Sequence, residues 1–111
     1  MKAKRTPIAF KNEKITHILK ELASEFLSME SNRQSLVTVT KVEYSSRSKQ
    51  ATIYISVMPD HKAEAALDFA KRQRAALRGY IKEKSRLSIL PFLDIQLDIG
   101  EKNRQKIDDL I

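Results

Sequence analysis

The chain has 111 residues, 41% of them hydrophobic and 32% charged, with a formal net charge of +7 and no cysteine. That is enough chain for one domain with a single core, and it is too apolar and too periodic for a disordered segment. Without cysteine there are no disulfides, thiolate metal sites or cysteine nucleophiles, and the positive balance favours nucleic acid or another anionic partner.

No apolar run approaches the length that spans a bilayer, and the basic Met1-Lys2-Ala3-Lys4-Arg5 is followed by no signal-peptide apolar core. A soluble, cytoplasmic monomer is expected. Residues 1–11 carry Lys2, Lys4, Arg5 and Lys11 with no acid among them, which reads as a flexible basic arm, with a first helical turn possible at Thr6-Pro7. Asn12 is a candidate N-cap for a helix from Glu13 to about Ser28. Its apolar residues Ile15, Ile18, Leu19, Leu22, Phe26 and Met29 recur at helical spacing.

Residues 30–34 have no period and read as a loop. Two β-rich runs follow, Leu36 to Tyr44 and Ala51 to Val57, joined by a short polar connection as in an antiparallel hairpin. The second run alternates, with Ala51, Ile53, Ile55 and Val57 on one face and Thr52, Tyr54 and Ser56 on the other. The first changes phase between Val37/Val39 and Val42/Tyr44, and a bulge near Thr40-Lys41 would bring all four to the core side.

Pro59-Asp60 closes the hairpin, and Asp60 can cap a long helix from about His61 to Lys84. Gln73 falls in its apolar arc, so either the helix is interrupted there or Gln73 is a buried amide with partners. Gly79 weakens the same region. Pro91 precedes a third strand in which Leu93, Ile95, Leu97 and Ile99 point inward and Asp94, Gln96 and Asp98 outward. Residues 101–111 read as a short terminal helix. Helix-strand-strand-helix-strand with a short last helix is an α+β order. It predicts a two-layer sandwich, a three-stranded sheet covered on one face by two helices.

The charge is concentrated in one place. Between positions 71 and 86 lie seven basic residues, Lys71, Arg72, Arg74, Arg78, Lys82, Lys84 and Arg86, and one acid, Glu83. At 100° per residue Lys71, Arg74, Arg78 and Lys82 fall within an arc of about 80°, beside an apolar arc of about 60° formed by Ala63, Ala66, Ala70, Leu77 and Ile81. A charge run is ordinarily a solvated face. Here the charges share a sign and a side, which suits a polyanion. These seven residues are the candidate RNA-binding set, with Lys2, Lys4 and Arg5 as an auxiliary arm.

Catalytic and metal chemistry have little to stand on. His17 and His61 show no ligand spacing, and Gly79 and Gly100 are the only glycines, so no Gly-rich phosphate loop exists. Asp94 and Asp98 share a strand face, which the wet side of an edge strand explains better than a carboxylate pair. Tyr54 on the open sheet face is the one stacking candidate, and a structural role explains it as well. No enzyme and no cofactor are expected.

The pattern resembles the ribosome-binding factor A family across nearly the whole chain. The residues that carry the resemblance are Val39-Thr40-Lys41-Val42-Glu43-Tyr44-Ser45, Ala51 to Val57, Leu77-Arg78, Tyr80-Ile81, Arg86-Leu87 through Pro91, Leu93 and Asp98. The resemblance implies a type II KH-like fold and a non-enzymatic role in maturation of the small ribosomal subunit and its rRNA, with support of growth in the cold. It also implies an Ala-x-Gly interruption in the long helix, where ordinary KH domains carry a GXXG loop. That place is Gln73-Arg74-Ala75 here, with both family residues replaced. The chain also departs from the family at Arg47, where Asp is common, and at Ser88, where Arg is common. It lacks the Lys-Asp-Pro-like turn after the first helix and a long C-terminal tail. Two rival readings are a general KH-type RNA binder and a basic module that docks an acidic protein.

Overall fold

A computed structural model describes residues 8–30, 35–87 and 90–100, without the side chains of 8–12 and Glu30. The elements run α1 (Ile8–Glu30), β1 (Leu36–Ser45), β2 (Gln50–Met58), a 3-10 turn (Asp60–Lys62), α2 (Ala63–Arg72), α3 (Arg74–Lys84) and β3 (Phe92–Leu97). The sheet order is β1-β2-β3, antiparallel between the first pair and parallel between the second.

Register explains why one face of this sheet is buried. Val39 pairs with Ile55 and Ile53 with Ile95, so the buried residues of all three strands point the same way. The register shifts between Val39 and Lys41, which is the bulge the phase change predicts. Past it, Val42 and Tyr44 rejoin Val37 and Val39 on the core side, where all four pack. The helical layer meets this face with Leu19, Ala23, Phe26 and Leu27 from α1, Ala70 from α2, and Leu77 and Ile81 from α3. Helix α1 lies over β1 and against α3, while α2 lies over β2 and β3. The result is the expected α+β, KH-like arrangement, with three helices where two were expected.

Several boundaries differ from the sequence reading. Helix α1 starts at Ile8, so residues 8–11 are helical and Asn12 is inside the helix, not its cap. Its buried stripe runs through Ala23 and Leu27, and Met29 is exposed. Small Ala23 escapes a count restricted to large apolar residues. Asp60 caps nothing by its side chain; it opens the 3-10 turn after Pro59. Strand β3 ends at Leu97, because residues 99 and 100 are already helical, and Ile99 is 65% exposed rather than turned inward. The arm of residues 1–7, the loop at 31–34, Ser88 and the expected helix of residues 101–111 lie outside the described residues.

Candidate nucleic-acid interface

The interruption falls at Gln73, one of the two possibilities its place in the apolar arc allowed. Its φ and ψ are −94° and 7°, the bridge region between two helical stretches. Its N–H donates to the carbonyls of both Phe69 (3.2 Å) and Ala70 (3.0 Å), a tightened last turn, while its own carbonyl accepts from the Leu77 N–H at 2.8 Å. The chain re-enters a helix at once. Gly79 interrupts nothing, since α3 continues through it to Lys84.

This break divides the basic stripe. Lys71 and Arg72 close α2, whereas Arg74, Arg78 and Lys82 line one side of α3 at successive i, i+4 positions. Leu77 and Ile81 hold the adjacent face of α3 in the core. Arg72, Arg74, Arg78, Lys82, Lys84 and Arg86 are all exposed, and Lys71 is half-buried. Six of the seven are therefore open to solvent, on α2, on α3 and on the segment that follows α3. Lys2, Lys4 and Arg5 lie outside the described residues.

The cations on that surface are not equivalent. Arg74 Nη1 lies 3.6 Å from Asp94 Oδ1 on β3. Arg78 reaches over the segment leading into β3, where Nη2 donates to the Leu90 carbonyl at 3.4 Å and Nε to the Pro91 carbonyl at 3.5 Å. Lys84 Nζ stands 5.8 Å from the centre of the Tyr80 ring. Arg72, Lys82 and Arg86 have no ion pair or hydrogen-bond partner among the described residues. These three are the cations most available to a ligand.

Sequence reasoning placed Asp94 on the wet face of an edge strand but did not connect it to the basic stripe. Partial burial alone would push its carboxyl up. A hydrogen bond from Gln96 (2.7 Å), one from the Ile95 N–H, and the charges of Lys71 and Arg74 outweigh burial and hold it below the ordinary carboxylate value. The signal was the perfect alternation around Asp94, which fixed its face. The missing piece was how β3 lies beside α2 and α3, which no local pattern encodes.

The open sheet face is organised differently. Tyr54 Oη donates to Glu43 Oε1 at 3.1 Å, and that bond comes first among the causes that raise the Tyr54 pKa. Lys41 Nζ lies 3.5 Å from Glu43 Oε2 and 4.8 Å from the centre of the Tyr54 ring. The one aromatic stacking candidate is thus covered by a cation and tied by its hydroxyl. On the other side of the molecule, Tyr80 Oη donates to Glu25 Oε1 at 2.7 Å, a bond that raises its pKa and joins α3 to α1. The Tyr80 ring packs 5.5 Å from that of Phe26. His17 is exposed beside Glu21 at 3.2 Å. Among the described residues no cluster of His, Cys, Asp or Glu could hold a metal ion, and no helix is long and apolar enough to cross a membrane.

Comparison with known proteins extends the fold to a family. The structure is similar to the crystal structure of ribosome-binding factor A from Thermus thermophilus, with a TM-score of 0.66 at 21% identity, over 76% of this chain and 92% of that one. In sequence, the chain is 28% identical over 107 residues to ribosome-binding factor A of Geobacter sulfurreducens, covering 91% of this chain and 88% of that protein. It is 29% identical over 90 residues to the protein of the same name from Coprothermobacter proteolyticus, covering 79% of this chain and 66% of that protein's length. The family model described as ribosome-binding factor A matches residues 11–111, from within α1 to the last residue. The chain belongs to the ribosome-binding factor A family.

Proposed function

We propose that residues 1–111 act as one KH-like RNA-binding domain that assists maturation of the small ribosomal subunit by binding its immature form and rRNA precursor. It acts in the cytoplasm as a monomer, by binding alone, without cofactor or catalytic step, and it supports growth in the cold. The observation that carries this reading is the exposed basic surface of α2, α3 and Arg86 in a chain of the ribosome-binding factor A family. Arg72, Lys82 and Arg86 would meet phosphates first, with Lys71, Arg74, Arg78 and Lys84 beside them and Lys2, Lys4 and Arg5 reaching in as the arm. Charges spaced a helical turn apart suit phosphates on folded RNA better than base edges, so recognition is by shape and backbone. Tyr54 on the open sheet face is already engaged by Glu43 and Lys41, which supports the same conclusion.

The test is a sucrose gradient of lysate probed for the tagged protein. The expected result is co-sedimentation at moderate salt with free small subunits and their precursors, and little with translating ribosomes. Protein spread evenly over all RNA-containing fractions would leave a general KH-type RNA binder. A position set by an acidic polypeptide and indifferent to ribonuclease would favour the protein-docking module.

A further inference from the structure

Two cations flank the helix break, and one of them reaches a carboxylate. Lys71 lies two residues before Gln73 and Arg74 one residue after it. From opposite sides of the break both charges act on Asp94, with Arg74 Nη1 at 3.6 Å from Asp94 Oδ1. The carboxylate is held for this contact, since Gln96 Nε2 donates to Oδ2 at 2.7 Å and leaves Oδ1 to the guanidinium. Its register partner on β2 is the uncharged Thr52. Of the neighbours named around Asp94, Lys71 on α2 and Arg74 on α3 are cations, and Gln96 and Thr52 are neutral. Arg72, Lys82 and Arg86 on the same surface have no such counter-charge among the described residues.

A carboxylate against the Arg74 guanidinium occupies the place a phosphate oxygen would take. An incoming phosphate cannot lie beside Asp94 at that pair without like-charge repulsion, so it must displace the carboxylate first. We propose that Asp94 is an intramolecular stand-in for an RNA phosphate, which engages Arg74 in the free protein and sets the affinity threshold of the interface. This rests on the reading that the surface binds RNA. While Asp94 engages Arg74, that guanidinium neutralises no RNA phosphate and so releases none of the counterions condensed on the RNA. The parent's salt dependence then reports chiefly Arg72, Lys82 and Arg86.

Replacing Asp94 by Asn keeps the side chain's shape and its contact with Gln96 while removing the charge. The pair is half-exposed and single-pronged, so freeing Arg74 should tighten binding about two- to fivefold at low salt, the span of exposed ion pairs. The fall of log affinity with log salt should steepen by about one, for one more phosphate contact. The assay is fluorescence anisotropy of a labelled small-subunit rRNA fragment across about 50 to 200 mM KCl. Asp94→Glu, which retains the charge, should bind as the parent does. Asp94→Asn combined with Arg74→Gln should lose the gain. An arm that leaves β3 untouched compares two single neutralisations on α3: Arg74→Gln should weaken binding less than Lys82→Gln, since Arg74 is already engaged. Asp94→Asn binding no tighter than the parent, a gain shared by Asp94→Glu, or Arg74→Gln costing as much as Lys82→Gln would each overturn the proposal while leaving RNA binding intact. A parent without salt-dependent RNA binding would remove the functional reading, and the proposal with it.

Discussion

Thr40 is the residue whose loss should tell most about how the sheet is held. It is the extra residue of the β1 bulge, without a register partner because pairing passes from Val39–Ile55 directly to Lys41–Tyr54. Its hydroxyl lies 2.6 Å from Asp98 Oδ2 and 3.3 Å from the Tyr54 carbonyl, so the single proton goes to the carboxylate. That bond ties β1 to the end of β3 across β2, and Asp98 is fixed in turn by donation of its N–H to the Ile55 carbonyl at 2.8 Å. Thr40→Val preserves the shape and β-branching and deletes only the hydroxyl. A hydrogen bond to a charged group contributes about 1.5–3 kcal/mol, and half-burial puts this one at the lower end, about 1.5–2 kcal/mol. In a domain of this size the melting temperature should fall by about 6–12 °C, read by circular dichroism. Thr38→Val is the control: same strand, same chemistry, exposed, and without a side-chain hydrogen bond among the described residues, so its effect should stay within about 0.5 kcal/mol. Thr40→Val and Asp98→Asn should also be non-additive when combined. If Thr40→Val melts with Thr38→Val, the strap is not what stabilises the bulge.

Three further outcomes follow from burial, exposure and hydrogen bonding. Ile53→Asp or Ile95→Asp places an unpaired carboxylate at a position with no solvent exposure; the cost exceeds what a domain of about 5–15 kcal/mol can absorb, so neither should show a cooperative melt at neutral pH. Lys82→Glu with Arg86→Glu should keep the parent's melt to within about 1 kcal/mol, yet weaken binding to rRNA at least about tenfold at low salt and flatten its salt slope by about two. Arg78→Ala should instead lower stability by about 1–2 kcal/mol, because it frees the Leu90 and Pro91 carbonyls as well as removing a charge.

Much of the fold was legible because its signals are local. Strict alternation from Ala51 to Val57 fixed β2, and the phase slip at Thr40-Lys41 located the bulge without any knowledge of the partner strand. Gln73, polar in an apolar arc, left a helix break as one of two possibilities, and the break falls there. What failed depended on non-local or weak terms. Ile99 continues the alternation of β3 in sequence, but the helical turn at residues 99 and 100 takes it out to solvent. Asn12 has capping chemistry and stands just before the first large apolar residues, but α1 runs a further turn upstream and takes it inside the helix. The composition of the basic surface was legible, since helical spacing puts like charges together. Their inequality was not: Arg74 and Arg78 look alike on a wheel, and only the packing of α3 beside the segment entering β3 gives one a carboxylate and the other two carbonyls.

That inequality changes how charge reversal on this surface must be read. Arg74→Glu with Arg78→Glu is the natural choice from the sequence, since both arginines are exposed and lie at the centre of the stripe. In the folded chain the first substitution would set a second carboxylate against Asp94, and the second would set one against the carbonyl oxygens of Leu90 and Pro91. Each repels the strand that the arginine holds, so weakened RNA binding in that pair would mix a lost phosphate contact with a shifted edge strand. Lys82 and Arg86 carry the same charge, are exposed, and hold nothing else among the described residues. Loss of binding with an unchanged melt, in the pair that has only its charge to lose, is the result that assigns the surface to a polyanion.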